Sequence, residues 1–432
     1  MTGKFISIVL LFFTTLTVAA QQARDEIMAD GRLSASNHLA YPGPSQERLT
    51  PAPKGYRPFY ISHYGRHGSR YLIGQDEYDV PVNVLARAGS MGKLTALGHD
   101  LLRRVSMLRQ EAAGRLGELT PLGAEQHRQI ARRMYERFPE VFMGSVTVDA
   151  KSTVVIRCIL SMENELQQLL LLNPKLNIQH DASRHDMYYM NQSDPSLAAG
   201  KMPRRAQVAL DEFSAGRVSC GRLMRSIFND EAYWHYEVDT LDLAKRLFKL
   251  ASNVQSSPLG GKMSLYDIFT DEELYDYWQV DNARWYITYG ACTLNGGTQP
   301  YSQRNLLRNI IHQADSCIAL ERPGATLRFG HETMVLPLTC LLGINGYDLQ
   351  TADLSQLVDK GWINYKVFPM GANIQLVFYR RGTGDGDVLV KVLLNENEAT
   401  LPVPTDCAPY YHWSDFKSFY LKKLDAYEAA SE

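Results

Sequence analysis

Residues 57–70 read Arg57-Pro58-Phe59-Tyr60-Ile61-Ser62-His63-Tyr64-Gly65-Arg66-His67-Gly68-Ser69-Arg70. The first six, rich in aromatic and apolar side chains, predict a β-strand. The chain then runs into Arg66-His67-Gly68-Ser69-Arg70, where two guanidiniums flank an imidazole and Gly68 lets backbone approach closely. A loop that leaves a strand end is where open α/β sheets bind ligands. Each arginine offers a planar fork of donors that matches phosphate oxygens. On these residues alone, a basic surface loop with an incidental histidine fits as well as a phosphate site.

Working outward, amphipathic helices are predicted from near Thr95 and from Thr120-Pro121, where Thr caps and Pro suits the first helical position. In the second, Ile130, Met134 and Phe138 repeat at helical spacing, and His127 reads as a helix-face histidine. Val146 to Ala150 predicts a strand, and Ser152 to Arg157 leads into a helix carrying Glu163 to Leu172. Strand patterns return at Ala325 to Phe329, Asn373 to Tyr379 and Val388 to Leu394. Between about 161 and 320 the pattern is mostly helical and irregular, with Tyr188, Tyr189, Trp234 and Trp278 reading as core. Strands alternating with helices at both ends, with a helical stretch between, predict an α/β sheet carrying a helical insertion. Residues 21–55, rich in Pro, Ser, Asn and Gly, predict an extended surface strap. Gly382-Thr383-Gly384-Asp385-Gly386 precedes a strand rather than a helix, so it predicts a hairpin turn and not a nucleotide loop.

The chain has 432 residues, with 45 Lys and Arg against 47 Asp and Glu. A net charge of −2 lacks the basic excess of a general nucleic-acid binder, so a polyanion would have to meet a local basic pocket. Residues 1–20, with Lys4, an apolar run from Phe5 to Val18 and small residues Val18-Ala19-Ala20, predict a removable export leader. Beyond it no apolar run suits a membrane span. The protein is expected outside the cytoplasm, in a periplasm or released, with no stable membrane insertion once the leader is gone. Six cysteines, Cys158, Cys220, Cys292, Cys317, Cys340 and Cys407, permit disulfides without selecting a pairing, and buried thiols fit as well. There is no CxxC or HExxH. His63 and His67 have a metal-like i, i+4 spacing, but Gly65 and Gly68 oppose a continuous helix there, so no metal is expected.

Three separated motifs carry a family resemblance. Arg66-His67-Gly68-Ser69-Arg70 resembles the RHGxR signature of histidine acid phosphatases. Gly330-His331-Glu332-Thr333 is similar to that family's downstream histidine followed by an acid. Lys151-Ser152-Thr153-Val154-Val155-Ile156-Arg157-Cys158 matches the place where it carries another phosphate-binding arginine after a strand. With Leu119-Thr120-Pro121-Leu122-Gly123 and Val390-Lys391-Val392-Leu393-Leu394-Asn395, the chain looks most like the multiple inositol polyphosphate phosphatase, phytase-like branch. That branch typically reads His-Ala-Glu; here Glu332 follows His331 directly, closer to the His-Asp of other acid phosphatases.

The resemblance implies a three-layer, phosphoglycerate-mutase-like α/β domain with helices on both faces, formed by residues 21–160 and 321–432. An inserted, mostly helical cap would span 161–320. It implies that His67 attacks phosphorus to give a phosphohistidine, that Arg66, Arg70, Arg157 and His331 hold the phosphoryl oxygens, and that Glu332 moves the proton. The substrate would be a small phosphorylated molecule, an inositol polyphosphate such as phytate, with no cofactor. Three cations disfavour protonation of His67, each by about 4 kcal/mol at 4 Å and an effective dielectric near 20 before screening. A phosphate beside Glu332 favours its protonated form, so activity is expected on the acid side of neutrality. Residues 200–225 hold Lys201, Arg204, Arg205, Arg217, Arg222 and Arg225 against Asp211 and Glu212; they read equally as a basic rim for further phosphates or as a solvated helix face. Arg184, in Arg184-His185-Asp186, is a further candidate contact. A broader acid phosphatase, a sugar phosphatase or mutase of the same fold, and a non-catalytic phospho-ligand binder are the alternatives.

Overall fold

In the computed structural model, residues 21–190 and 193–430 are described, and the expected leader at 1–20 lies outside them. Among these residues, eight strands form one mixed sheet: β1 (Arg57–Arg66), β2 (Thr147–Ser152), β3 (Asn177–Asp181), β4 (Gly324–Gly330), β5 (Asn373–Arg380), β6 (Leu389–Leu394), β7 (Asn397–Glu398) and β8 (Tyr410–His412). The order is β3-β2-β4-β1-β5-β6-β7, with β8 also on β6. β3, β2, β4 and β1 run parallel to their neighbours, whereas β5 onward are antiparallel.

Both faces are covered, and the period of two along each strand shows how. Tyr60, Leu376, Phe378, Val390 and Val392 join one core with the helices Arg304–Ile318, Glu332–Leu342 and Trp413–Ala429. Their neighbours Ile61, Val377, Tyr379, Leu389 and Leu393 face the other way, onto Pro121–Arg137 and Ile156–Leu172. The result is the expected three-layer α/β arrangement. Thr95 and Thr120 cap their helices through Gly98 N and Gly123 N, with Pro121 in the first turn. The glycine-rich loop before β6 is the expected hairpin between antiparallel β5 and β6.

Several local expectations need correction. Residues 21–38 are not an extended strap: 21–29 are helical, Gly31–His38 forms 3-10 turns, and Ala23, Ile27, Ser34, Ala35, Ser36 and His38 are buried. A further helix, Asp76–Ser90, precedes the one at Thr95. Both helices and residues 23–39 share a third core with Gly221–Ile227, Thr240–Val254 and Asp271–Tyr289. The helical layer therefore draws on the N-terminal stretch as well as on 161–320. Conversely, residues 161–181 lie with the sheet, since β3 pairs with β2, and Arg304–Ile318 packs on it. Tyr189, Trp234 and Trp278 are core as expected, but Tyr188 is exposed. All six cysteines are free thiols. No helix among the described residues is long and apolar enough to cross a membrane.

Candidate active site

The sheet order assembles the site. β4 lies between β1 and β2, and all three end at the same edge, with Arg66 opposite Gly330 and Ser152 opposite Phe329. The residues that follow, His67, Thr153 and His331, are thereby brought together. The His67 N–H extends the ladder by donating to Gly330 O at 2.9 Å, and His67 O accepts from Gly371 N at 2.9 Å. The His67 and His331 rings stand 5.7 Å apart, edge to face.

The loop after His67 is held from behind. Gly68 N donates to Ser161 Oγ at 3.1 Å, and Ser69 N donates to Gln126 Oε1 at 2.8 Å. Gly68 packs against Gly123 so closely that a Cβ would sit 2.4 Å from Gly123 O, which explains the glycine in each motif. A pair of carbonyls fixes the two side chains before it: Arg66 Nη1 donates to Phe368 O at 2.6 Å, and His67 Nδ1 lies 2.9 Å from Gly68 O. A carbonyl only accepts, so Nδ1 carries the proton and Nε2 the lone pair. His67 Nε2 is buried, with no hydrogen-bond partner among the described residues.

Glu332 opens the helix that follows β4. Its Oε2 is 3.0 Å from Arg66 Nε and 3.7 Å from His67 Nε2, while Oε1 accepts from Asn37 Nδ2 at 3.2 Å. Thr153 Oγ1 and Cys158 Sγ lie 3.1 and 3.5 Å from His331 Nε2. Arg70 is buried, its Nη1 donating to Tyr71 O at 2.9 Å.

Electrostatics follow from this crowding. Burial first, then Arg66, Arg157 and Arg70, hold His67 well below the usual histidine range, against the opposing pull of Glu332. The same forces push His331 down to about 3. Burial alone would raise the Glu332 carboxyl, but the Arg66 and Arg70 guanidiniums outweigh it and hold the group well below the carboxylate range. The site thus presents two neutral imidazoles and one carboxylate among three guanidiniums. Ligand atoms of His67, His331 and Glu332 lie within 4.8 Å of one another, yet the surrounding arginines oppose a cation and favour an anion.

Beside this cluster opens a cavity of about 650 Å³ whose wall includes Asn37, His38, Lys245, Lys249, Arg284 and Tyr289. None of the six was singled out in the sequence. The cavity borders this cluster, since Asn37 reaches Glu332 and His38 feels the charges of Arg70, Lys249, Arg66 and Glu332. The stretch 200–225 does reach the wall, through Leu210, Asp211, Ser214 and Val218, but its basic side chains do not line it. Arg205 is occupied by Leu294 O and Thr293 O, Arg217 by Phe213 O, and Arg222 by Glu273. Arg204 and Arg184 are exposed and outside the cavity wall. Lys201 comes nearest, its Nζ 4.6 Å over the ring of Tyr289. His63 is no partner of His67 for a metal: β1 is extended, and His63 faces Glu165 at 3.9 Å behind the loop. His127 is buried, its Nδ1 2.8 Å from the same carboxylate.

A chain with these strand-end motifs belongs to branch 2 of the histidine phosphatase superfamily, whose profile matches residues 66–395. Among solved structures it is similar to the multiple inositol polyphosphate phosphatase of Bifidobacterium longum in complex with inositol hexasulfate, with a TM-score of 0.75 at 19% identity, covering 90% of this chain and 97% of that one. It also resembles the D. castellii phytase, with a TM-score of 0.63 at 14% identity, covering 91% and 85% of the two chains. The Hafnia alvei phytase in complex with myo-inositol hexakis sulphate follows at 0.52 and 14%, covering 86% and 98%. Among curated proteins, no sequence matches.

Proposed function

We propose that this protein is an exported phosphomonoesterase that hydrolyses inositol polyphosphates such as phytate through a phosphohistidine on His67. The observation that carries the reading is the unpartnered Nε2 of His67, its lone pair fixed by the Nδ1 contact to Gly68 O, 3.7 Å from the Glu332 carboxylate. Nε2 attacks phosphorus as the bond to the ester oxygen breaks. Arg66, Arg70 and Arg157 bind the three phosphoryl oxygens as charge redistributes, with His331 as a further donor. Glu332 gives its proton to the departing oxygen. It then takes one from the water that cleaves the N–P bond, which returns His67 neutral and releases phosphate.

In the free protein Glu332 is a carboxylate. A bound phosphate offsets the arginines and repels that negative charge, so the carboxyl gains its proton with the substrate. Lys245 and Arg284 in the cavity wall support a polyphosphorylated substrate, because a single phosphate would leave them unused, whereas Lys249 is already paired with Glu77. Export rests on the leader at 1–20 and is tested by whether the mature chain starts at Gln21.

The deciding experiment is phosphate release from phytate and from p-nitrophenyl phosphate, through the acid and neutral range with chelator present, for wild type and His67→Ala. Phytate hydrolysis that survives chelation and vanishes in the variant is expected. Turnover of the aryl ester alone would keep the chemistry and reassign the substrate. Binding without turnover would make the protein a phospho-ligand receptor.

A further inference from the structure

Asn37 lies on the N-terminal segment, far in sequence from every motif of the site, yet its side-chain amide donates to Glu332 Oε1 at 3.2 Å. Its placement is over-determined. Ser36, just before it, has φ 55° and ψ −121°, a backbone conformation that L side chains rarely adopt. Ser36 Oγ accepts from Asn364 Nδ2 at 2.8 Å, and the buried Asn364 is itself held by Trp278 Nε1 at 2.9 Å and by Asn282 Oδ1 at 2.9 Å. On the other side, Leu39 O accepts from Met370 N at 2.8 Å and Ala40 N donates to Gln255 Oε1 at 3.1 Å. An unfavourable backbone turn is thus held in place directly before the residue that meets this carboxylate.

The two carboxylate oxygens are thereby distinguished. Oε1 is held by an N–H, which only donates, so that oxygen keeps its lone pair. Oε2 lies beside His67 Nε2 and makes no aligned hydrogen bond with Arg66 Nε despite their 3.0 Å separation. We propose that Asn37 is a positioning residue that directs the proton of Glu332 onto Oε2, the oxygen nearest the group that leaves the His67-bound phosphorus. This inference rests on the reading of Glu332 as the proton donor.

A positioned acid matters only when the leaving oxygen needs a proton. An alkoxide leaving from phytate or glycerol phosphate needs one, whereas p-nitrophenolate departs without it. In single turnover, Asn37→Ala should slow leaving-group release from the alkyl esters by about tenfold or more relative to its effect on p-nitrophenyl phosphate. Asn37→Asp, which is isosteric, sets a second carboxylate beside Glu332 and should move the high-pH limb of alkyl-ester kcat upward; it carries the test should the alanine variant not fold. Glu332→Gln is the reference. If it shows the leaving-group asymmetry and the Asn37 variants lose both esters equally, or change KM alone, the inference is overturned. If Glu332→Gln shows no asymmetry in the single-turnover release of the leaving group, which precedes the water step that Glu332 serves for both esters alike, the proton-donor reading falls and this inference with it. A wild type inert toward every ester overturns the phosphatase reading itself.

Discussion

The strand-end cluster and the cavity wall beside it are built in opposite ways. Every member of the first, Arg66, His67, Arg70, Arg157, His331 and Glu332, sits within a few residues of the end of β1, β2 or β4. Adjacent parallel strands leave such residues little choice of position. The wall is assembled from side chains of Gly31–His38, Arg204–Ala215, Thr240–Val254 and Asp271–Tyr289, which meet only because their helices pack together. In the proposed function, the chemistry would be held by the sheet and selection by helix packing. The first should tolerate little change, while the second should be adjustable.

Several measurements would break or sharpen this contrast. The largest effect is expected for His67→Ala, with phosphate release from both ester types falling at least about a thousandfold. Next comes pH. Because substrate supplies the field that protonates Glu332, kcat on phytate should fall as pH rises through the carboxyl's bound value. His67, neutral throughout, should impose little loss on the acid side. A pH–rate profile in which activity instead grows toward alkaline pH would reject that assignment. Gly68→Ala should cost about 1–3 kcal/mol in urea unfolding, because its Cβ has to displace the Pro121–Arg137 helix start, and should reduce turnover as well. Wall substitutions come lower: Lys245→Ala or Arg284→Ala should raise KM for phytate about tenfold and leave p-nitrophenyl phosphate within about twofold. Smallest of all, Arg184→Ala and Arg204→Ala should change neither constant by more than about twofold, since both side chains are exposed and outside the wall. A large KM effect at Arg204 would restore the basic rim expected at 200–225.

The same contrast explains what could be read in the sequence. β1, β4 and β5 carry apolar runs that end in arginine or glycine, β6 is almost wholly apolar and β2 alternates, so the fold class and the three strand-end motifs stand out. Asp76–Ser90 was hidden because Pro81 lies inside it, a residue that usually breaks a helix. Residues 21–38 are rich in the polar and small types that usually mark a loop, and no local pattern indicates the positive φ of Ser36 or the reach of Asn37 to Glu332. Charge counting at 200–225 left a basic rim and a solvated helix face equally open for another reason. It cannot see that Arg222 meets Glu273 across two helices, or that Arg205 caps the carbonyls of Leu294 and Thr293. The pairing of His127 with Glu165 was equally invisible, since it joins neighbouring helices through their buried sides.

The position of β4 has a consequence for how activity is acquired. β1 and β2 are synthesised early but never touch each other in the sheet; the late strand β4 must insert between them. Only then does His331 N reach Tyr64 Oη, across 267 residues of chain. A nascent or truncated chain that stops before β4 cannot hold an incomplete but working centre. Regain of turnover should therefore mark the last step of refolding and lag behind any helical signal, because the slow event is threading a strand into a gap that local contacts cannot close.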